Sequence, residues 1–62
     1  MPLLQSLRRV REGREVSMRQ LSAKSGVSAD SISDFEEVRQ MASPQTTRRL
    51  AEALGVREDD LR

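Results

Sequence analysis

Asp30 and Asp34 stand four residues apart in a segment rich in carboxylates, a spacing that sets both on one face of a helix. Such a pair could serve a divalent cation or paired acid–base work. Neither reading gains support from the rest of the chain. The 62 residues include no cysteine and no histidine, so the usual zinc ligands and the thiol and imidazole nucleophiles are missing. A chain this short also has little core with which to wall a substrate pocket. The carboxylates therefore read as a solvated face, and the expectation is a non-enzymatic domain with no metal and no cofactor. Gly13, Gly26 and Gly55 make no phosphate loop and read as helix stops.

The distribution of charge is more informative than its total. Eleven basic and ten acidic residues nearly cancel, but they are segregated. Met1–Val27 holds six basic and two acidic residues, whereas Ser28–Val38 holds Asp30, Asp34, Glu36 and Glu37 and no cation. The remainder, with five basic and four acidic residues, is close to neutral. Asymmetry of this kind bears on partners rather than on fold. With one phenylalanine and neither tryptophan nor tyrosine, there is no platform for stacking unpaired bases, which argues against RNA-recognition and single-strand-binding modules. No apolar run is long enough for a membrane span and no signal-peptide core opens the chain, so the expected setting is cytoplasmic, with no membrane partner.

Helices must position these side chains. Leu3, Leu4, Leu7, Val10 and Arg11 recur at three- and four-residue spacing, which predicts a first helix over 3–12, stopped near Gly13. Ser17-Met18-Arg19-Gln20 matches a capping box flanked by the staple pair Val16 and Leu21; it opens a second helix over 18–25 that Gly26 closes. Ser28, with Val27 before it and Ile32 after it, repeats the signal. A third helix over 29–37 follows, burying Ile32 and Phe35 and carrying Asp30 in its first turn. Two short helices joined by a glycine-containing turn make a helix-turn-helix. Val38 to Ala42 reads as a loop. Ser43-Pro44 then starts a fourth helix over 44–54, with Thr47, Leu50, Ala51 and Leu54 inward and Gly55 at its end. Val56 and Leu61 bracket Glu58-Asp59-Asp60 in a last helical stretch over 57–61. Residues 1–62 thus read as one all-α domain of five helices.

The run Val16 to Ser28, followed by Ile32-Ser33 and Phe35-Glu36, resembles the Cro/phage-repressor (XRE-type) helix-turn-helix family. So does Ser43-Pro44-Gln45-Thr46 with Arg49-Leu50-Ala51-Glu52-Ala53-Leu54-Gly55-Val56. The resemblance implies a lambda-repressor-like fold and sequence-specific binding of double-stranded DNA, usually as a homodimer, with the third helix in the major groove. Carried over position by position, it implies base contacts from Ser28, Ala29, Asp30, Ser31 and Asp34. It implies phosphate contacts from Arg19, Gln20, Lys24 and Arg39, and a structural ion pair between Arg11 and Glu36. Several positions depart from the family pattern. Met18 stands where a phosphate-bonding glutamine is common, Glu37 where a basic or amide side chain is common, and Val38 where glycine is common.

Affinity for duplex DNA comes mostly from lysine and arginine neutralising phosphates. A helix with four carboxylates and no cation opposes that, at a cost on the order of 1 kcal/mol for each like charge brought near a phosphate. Arg8, Arg9 and Arg14 lie round the domain from the motif, and Arg48 is a further backbone candidate. Two expectations follow. One is an XRE-type DNA-binding transcriptional regulator with an unusually acidic recognition helix. The other is a protein-interaction or dimerisation module on the same scaffold, its contact patch formed by Met18, Ala29, Asp30, Asp34, Glu37, Val38 and Met41.

Overall fold

In a computed structural model describing residues 3–62, three helices begin directly after serine caps: α2 (Met18–Ser25), α3 (Ala29–Glu36) and α4 (Pro44–Leu54). Ser17 Oγ accepts from the Gln20 amide at 3.0 Å while Gln20 Oε1 accepts from the Ser17 amide at 2.9 Å, completing the capping box. Ser28 and Ser43 each accept from the third amide of their helices. Each cap thereby satisfies one of the amides that a helix start leaves without an intrahelical partner.

The first and last elements differ from the sequence expectation. The first helix, α1, runs Leu7–Gly13 rather than over 3–12, with Leu3 exposed and Leu4 fully buried. The chain before α1 is held by partners distant in sequence. The Ser6 amide donates to the Leu61 carbonyl at 3.0 Å and Ser6 Oγ to the Arg62 carbonyl at 2.8 Å. Leu4 thus enters the core from an irregular segment tied to the C-terminal end. The fifth element is not an α-helix but a four-residue 3-10 turn, Glu58–Leu61, so the described residues form four α-helices and one 3-10 turn, with no strand. Asp60 Oδ2 accepts from the Arg57 amide at 3.0 Å, and the next turn never forms.

Leu7 from α1, Leu21 from α2, Ile32 and Phe35 from α3, and Leu50 and Leu54 from α4 meet Leu4, Ala42 and Leu61 in one core. α2 packs against both α3 and α4, while α1 bridges α3 and the 3-10 turn. Thr47 is buried in this surface because its hydroxyl donates back to the Ser43 carbonyl at 2.9 Å.

α2 and α4 end on left-handed glycines, Gly26 and Gly55, but α1 and α3 do not. Gly13 lies inside α1, and Glu15 supplies the left-handed turn, at φ +56°. α3 stops at Glu36, one residue short of the expected end, because Val38 turns left-handed at φ +58°. The Val38 amide donates to the Phe35 carbonyl at 3.1 Å and the Arg39 amide to the Asp34 carbonyl at 2.9 Å, the two bonds of a Schellman end. A β-branched residue in this conformation carries strain of roughly 1–2 kcal/mol. Val38→Gly should therefore raise stability by about 1 kcal/mol, which moves the melting midpoint of a domain this size by roughly 4–8 °C. An unchanged or lowered midpoint would show that the Val38 side chain contributes more than its strain removes.

Asp60 gives a weaker, pH-dependent signal. The Arg57 amide, and after it the Arg57 guanidinium, hold its carboxyl below the usual carboxylate range. A depressed folded value contributes stability above the unfolded value of about 4, lost as pH falls through the folded value. Asp60→Ala should accordingly loosen the 3-10 turn near neutral pH, seen as faster exchange of the Arg57 amide. The difference from the parent should vanish in acid.

Candidate nucleic-acid interface

The turn between α2 and α3 is built from short-range bonds. Ser25, buried, donates to the Leu21 carbonyl at 2.7 Å and accepts from the Val27 amide at 3.1 Å. Gly26 takes φ +75°, where a side chain would be strained, and its amide closes on the Ser22 carbonyl. With Leu21 and Ile32 both fully buried, the turn fixes one helix against the other.

The outward side of α3 carries the expected base-contact positions. Ser28, Ala29 and Asp30 are exposed, and Ser31 and Asp34 are half-buried. Ser28 is already engaged: its Oγ accepts from the Ser31 amide at 3.2 Å and donates to Ser31 Oγ at 2.9 Å. On α2, Arg19 and Lys24 are exposed and make no ion pair among the described residues. Gln20 gives its carbonyl oxygen to the cap, which leaves its amide nitrogen free to donate.

The carboxylates of this segment fall into three environments. Glu36 points inward, its side chain 1% exposed, and meets Arg11 through two hydrogen bonds; Arg8 adds a third at 3.3 Å. Arg11 also donates to the Val16 carbonyl at 2.8 Å, locking α1 to the start of α2. Its hydrogen bonding to the Glu36 carboxylate raises the Arg11 pKa above its ordinary value. Asp34 and Glu37 share one nitrogen of Arg39, at 3.2 Å and 2.9 Å, and Glu37 also accepts from Ser33 Oγ at 3.1 Å. Asp30 alone has no side-chain partner among the described residues.

A family model described as a helix-turn-helix domain, of the Cro/XRE-like type, matches residues 3–62. The chain belongs to this helix-turn-helix family. No curated protein and no solved structure matches it.

Within the helix-turn-helix domain the structure also relocates residues. Met18 packs against the core and is half-buried, with only part of its side chain on the surface. Val38 and Met41, at 40% and 52% exposure, remain on the surface after α3. Arg8, expected to lie round the domain, joins Glu36. Its place three residues before Arg11 on one helical face was the available signal. The role of Arg39 had no such signal, because it depends on the left-handed turn at Val38.

Proposed function

We propose that this domain is an XRE-type transcriptional regulator that binds duplex DNA in a sequence-specific manner, with α3 lying in the major groove. Family membership supports the scaffold, and one observation supports retained binding: arginines engage three of the four carboxylates of the acidic segment. Glu36 is removed from the surface by Arg11 and Arg8. The outward face then carries Asp30, Asp34 and Glu37 against Arg19, Lys24 and Arg39, a balance of charge rather than an acidic wall. Exposed ion pairs such as those of Arg39 are worth at most about 1 kcal/mol, but they lower the net negative charge that the face turns toward phosphate. Ser28 to Asp34 would then face bases, with Arg19, Gln20 and Lys24 on the phosphate backbone.

In the protein-contact alternative Met18 is half-buried against the core, and Ala29, Val38 and Met41 are its exposed apolar residues. Arg19→Ala and Lys24→Ala distinguish the two readings. Under DNA binding, each should weaken retention of every duplex to a similar extent and reduce the dependence of log affinity on log salt by about 1. Variants that retain duplex as well as the parent would overturn this assignment of the phosphate contacts.

A further inference from the structure

Resting on the DNA-binding reading, we infer that Asp34, buttressed by Arg39, is the main specificity-determining residue of α3 and selects a cytosine. The inference begins with what α3 lacks. Ala29–Glu36 contains no arginine, lysine, asparagine or glutamine, so the helix has no donor fork for guanine and no amide for adenine. Ala29 has no polar side chain, the Ser28 hydroxyl donates to Ser31, the single hydroxyl left on Ser31 pairs with any base and so fixes none, and Glu36 is buried against Arg11. Asp30 and Asp34 are the outward groups of the helix that can discriminate between bases.

An ionised carboxylate only accepts hydrogen bonds. In the major groove, guanine presents two acceptors and thymine an acceptor and a methyl group, so a carboxylate is repelled or left unpaired at both. Cytosine presents the N4 amino donor. Adenine presents the N6 amino donor beside the N7 acceptor, which disfavours a second carboxylate oxygen on the same edge. Cytosine is therefore the base that fits.

Asp34 is better prepared for this role than Asp30. Arg39 meets this residue at two points: its amide donates to the Asp34 backbone carbonyl at 2.9 Å, and its guanidinium, hydrogen-bonded to Glu37, lies 3.2 Å from Asp34 Oδ1 in an ion pair. The left-handed Val38 brings both contacts about by folding the chain back over the end of α3. The ion pair thus engages one carboxylate oxygen and leaves the other open to accept, and the adjacent cation lowers its repulsion from the phosphates. Asp30 sits in the first turn with no side-chain partner among the described residues. Arg39 acts through Asp34 and is a positioning residue.

The test is selection of bound sites from a random pool of duplexes, run with the parent protein, Asp34→Asn, Asp34→Ala and Arg39→Ala. The parent should enrich a position held as C·G, with other bases there binding about 10-fold to 100-fold more weakly. Asp34→Asn should move that position to adenine, because asparagine pairs bidentately with adenine N6 and N7. Asp34→Ala should make that position degenerate while neighbouring preferences persist. Arg39→Ala should blunt the discrimination at the same position, and Arg39→Lys should restore part of it. Duplex retained with identical preferences in the parent and Asp34→Asn would overturn the inference and leave the DNA-binding reading standing. A parent that retains no duplex even at low salt would overturn both.

Discussion

Arg11→Ala should unfold the domain or bring it to the edge of unfolding. Glu36 is 1% exposed and Arg11 11%, so the substitution leaves a carboxylate inside the fold with only Arg8, itself 59% exposed, at 3.3 Å. Breaking a buried pair from one side costs about 3–5 kcal/mol, because the remaining charge keeps its desolvation penalty. A domain of this length has about 3–9 kcal/mol in total. The loss of the Arg11 bond to the Val16 carbonyl adds to the deficit where α1 meets α2. Arg8→Ala, by contrast, removes a mostly exposed partner and should cost about 1 kcal/mol or less. The double variant Arg11→Met, Glu36→Leu should recover most of the lost stability, since no buried charge remains to be satisfied. Thermal or urea unfolding measures all three. An Arg11→Ala midpoint close to the parent's would contradict the assignment of this pair as the main polar tie of the fold. The raised Arg11 pKa contributes stability below its unfolded value and loses it only above, in strong alkali, so this contribution should not vary with pH near neutrality.

A second large effect is expected at Asp30. Its carboxylate is exposed and has no side-chain partner among the described residues, so in the proposed complex it meets the negative duplex without a compensating cation. Asp30→Asn should raise affinity for all duplexes by about fivefold, corresponding to about 1 kcal/mol of relieved repulsion. Asp30→Arg should raise it by a further factor of similar size and steepen the salt dependence by about 1. Both variants lose a carboxylate from the first turn of α3, which costs roughly 0.3–1 kcal/mol of helix stability. The expected pattern is therefore tighter binding by a slightly less stable protein. Weaker binding in both, measured by titration at fixed salt, would mean that Asp30 makes a direct favourable contact.

The two aspartates separate affinity from selectivity. Asp30, with no side-chain partner among the described residues, should act on every sequence alike, whereas Asp34, paired with Arg39, should act on the choice of base. The distinction follows from the ion pairs and not from residue type.

The helix-turn-helix was legible in the sequence because its signals are local. Ser17 with Gln20, Gly26 and Ser28 each act within a few residues, and all three boundaries fall where those side chains place them. Ser43-Pro44 and Gly55 define α4 in the same way. The start of α1 was not legible. Leu3 and Leu4 continue the helical period, but Ser6 bonds to Leu61 and Arg62 at the far end of the chain, and that competition is invisible to a local pattern. The last element failed for a related reason: Glu58 to Leu61 is too short to carry more than one 3-10 turn. In the candidate site, the charges could be counted but their pairing could not. Arg39 lies five residues after Asp34 and outside α3, and it returns to that carboxylate only because Val38 adopts a conformation that sequence would assign to glycine. The net acidity of Ser28–Val38 therefore overstated the acidity of the face.

The most direct measurement is the retention of random-sequence duplex DNA by the intact domain across a salt series. With Arg19 and Lys24 as the charged phosphate contacts, binding should be evident at low salt. Log affinity should then fall linearly with log salt, with a slope of about −2 per bound domain. Failure to retain any duplex at low ionic strength, or a slope near zero, would contradict DNA binding by this helix-turn-helix domain.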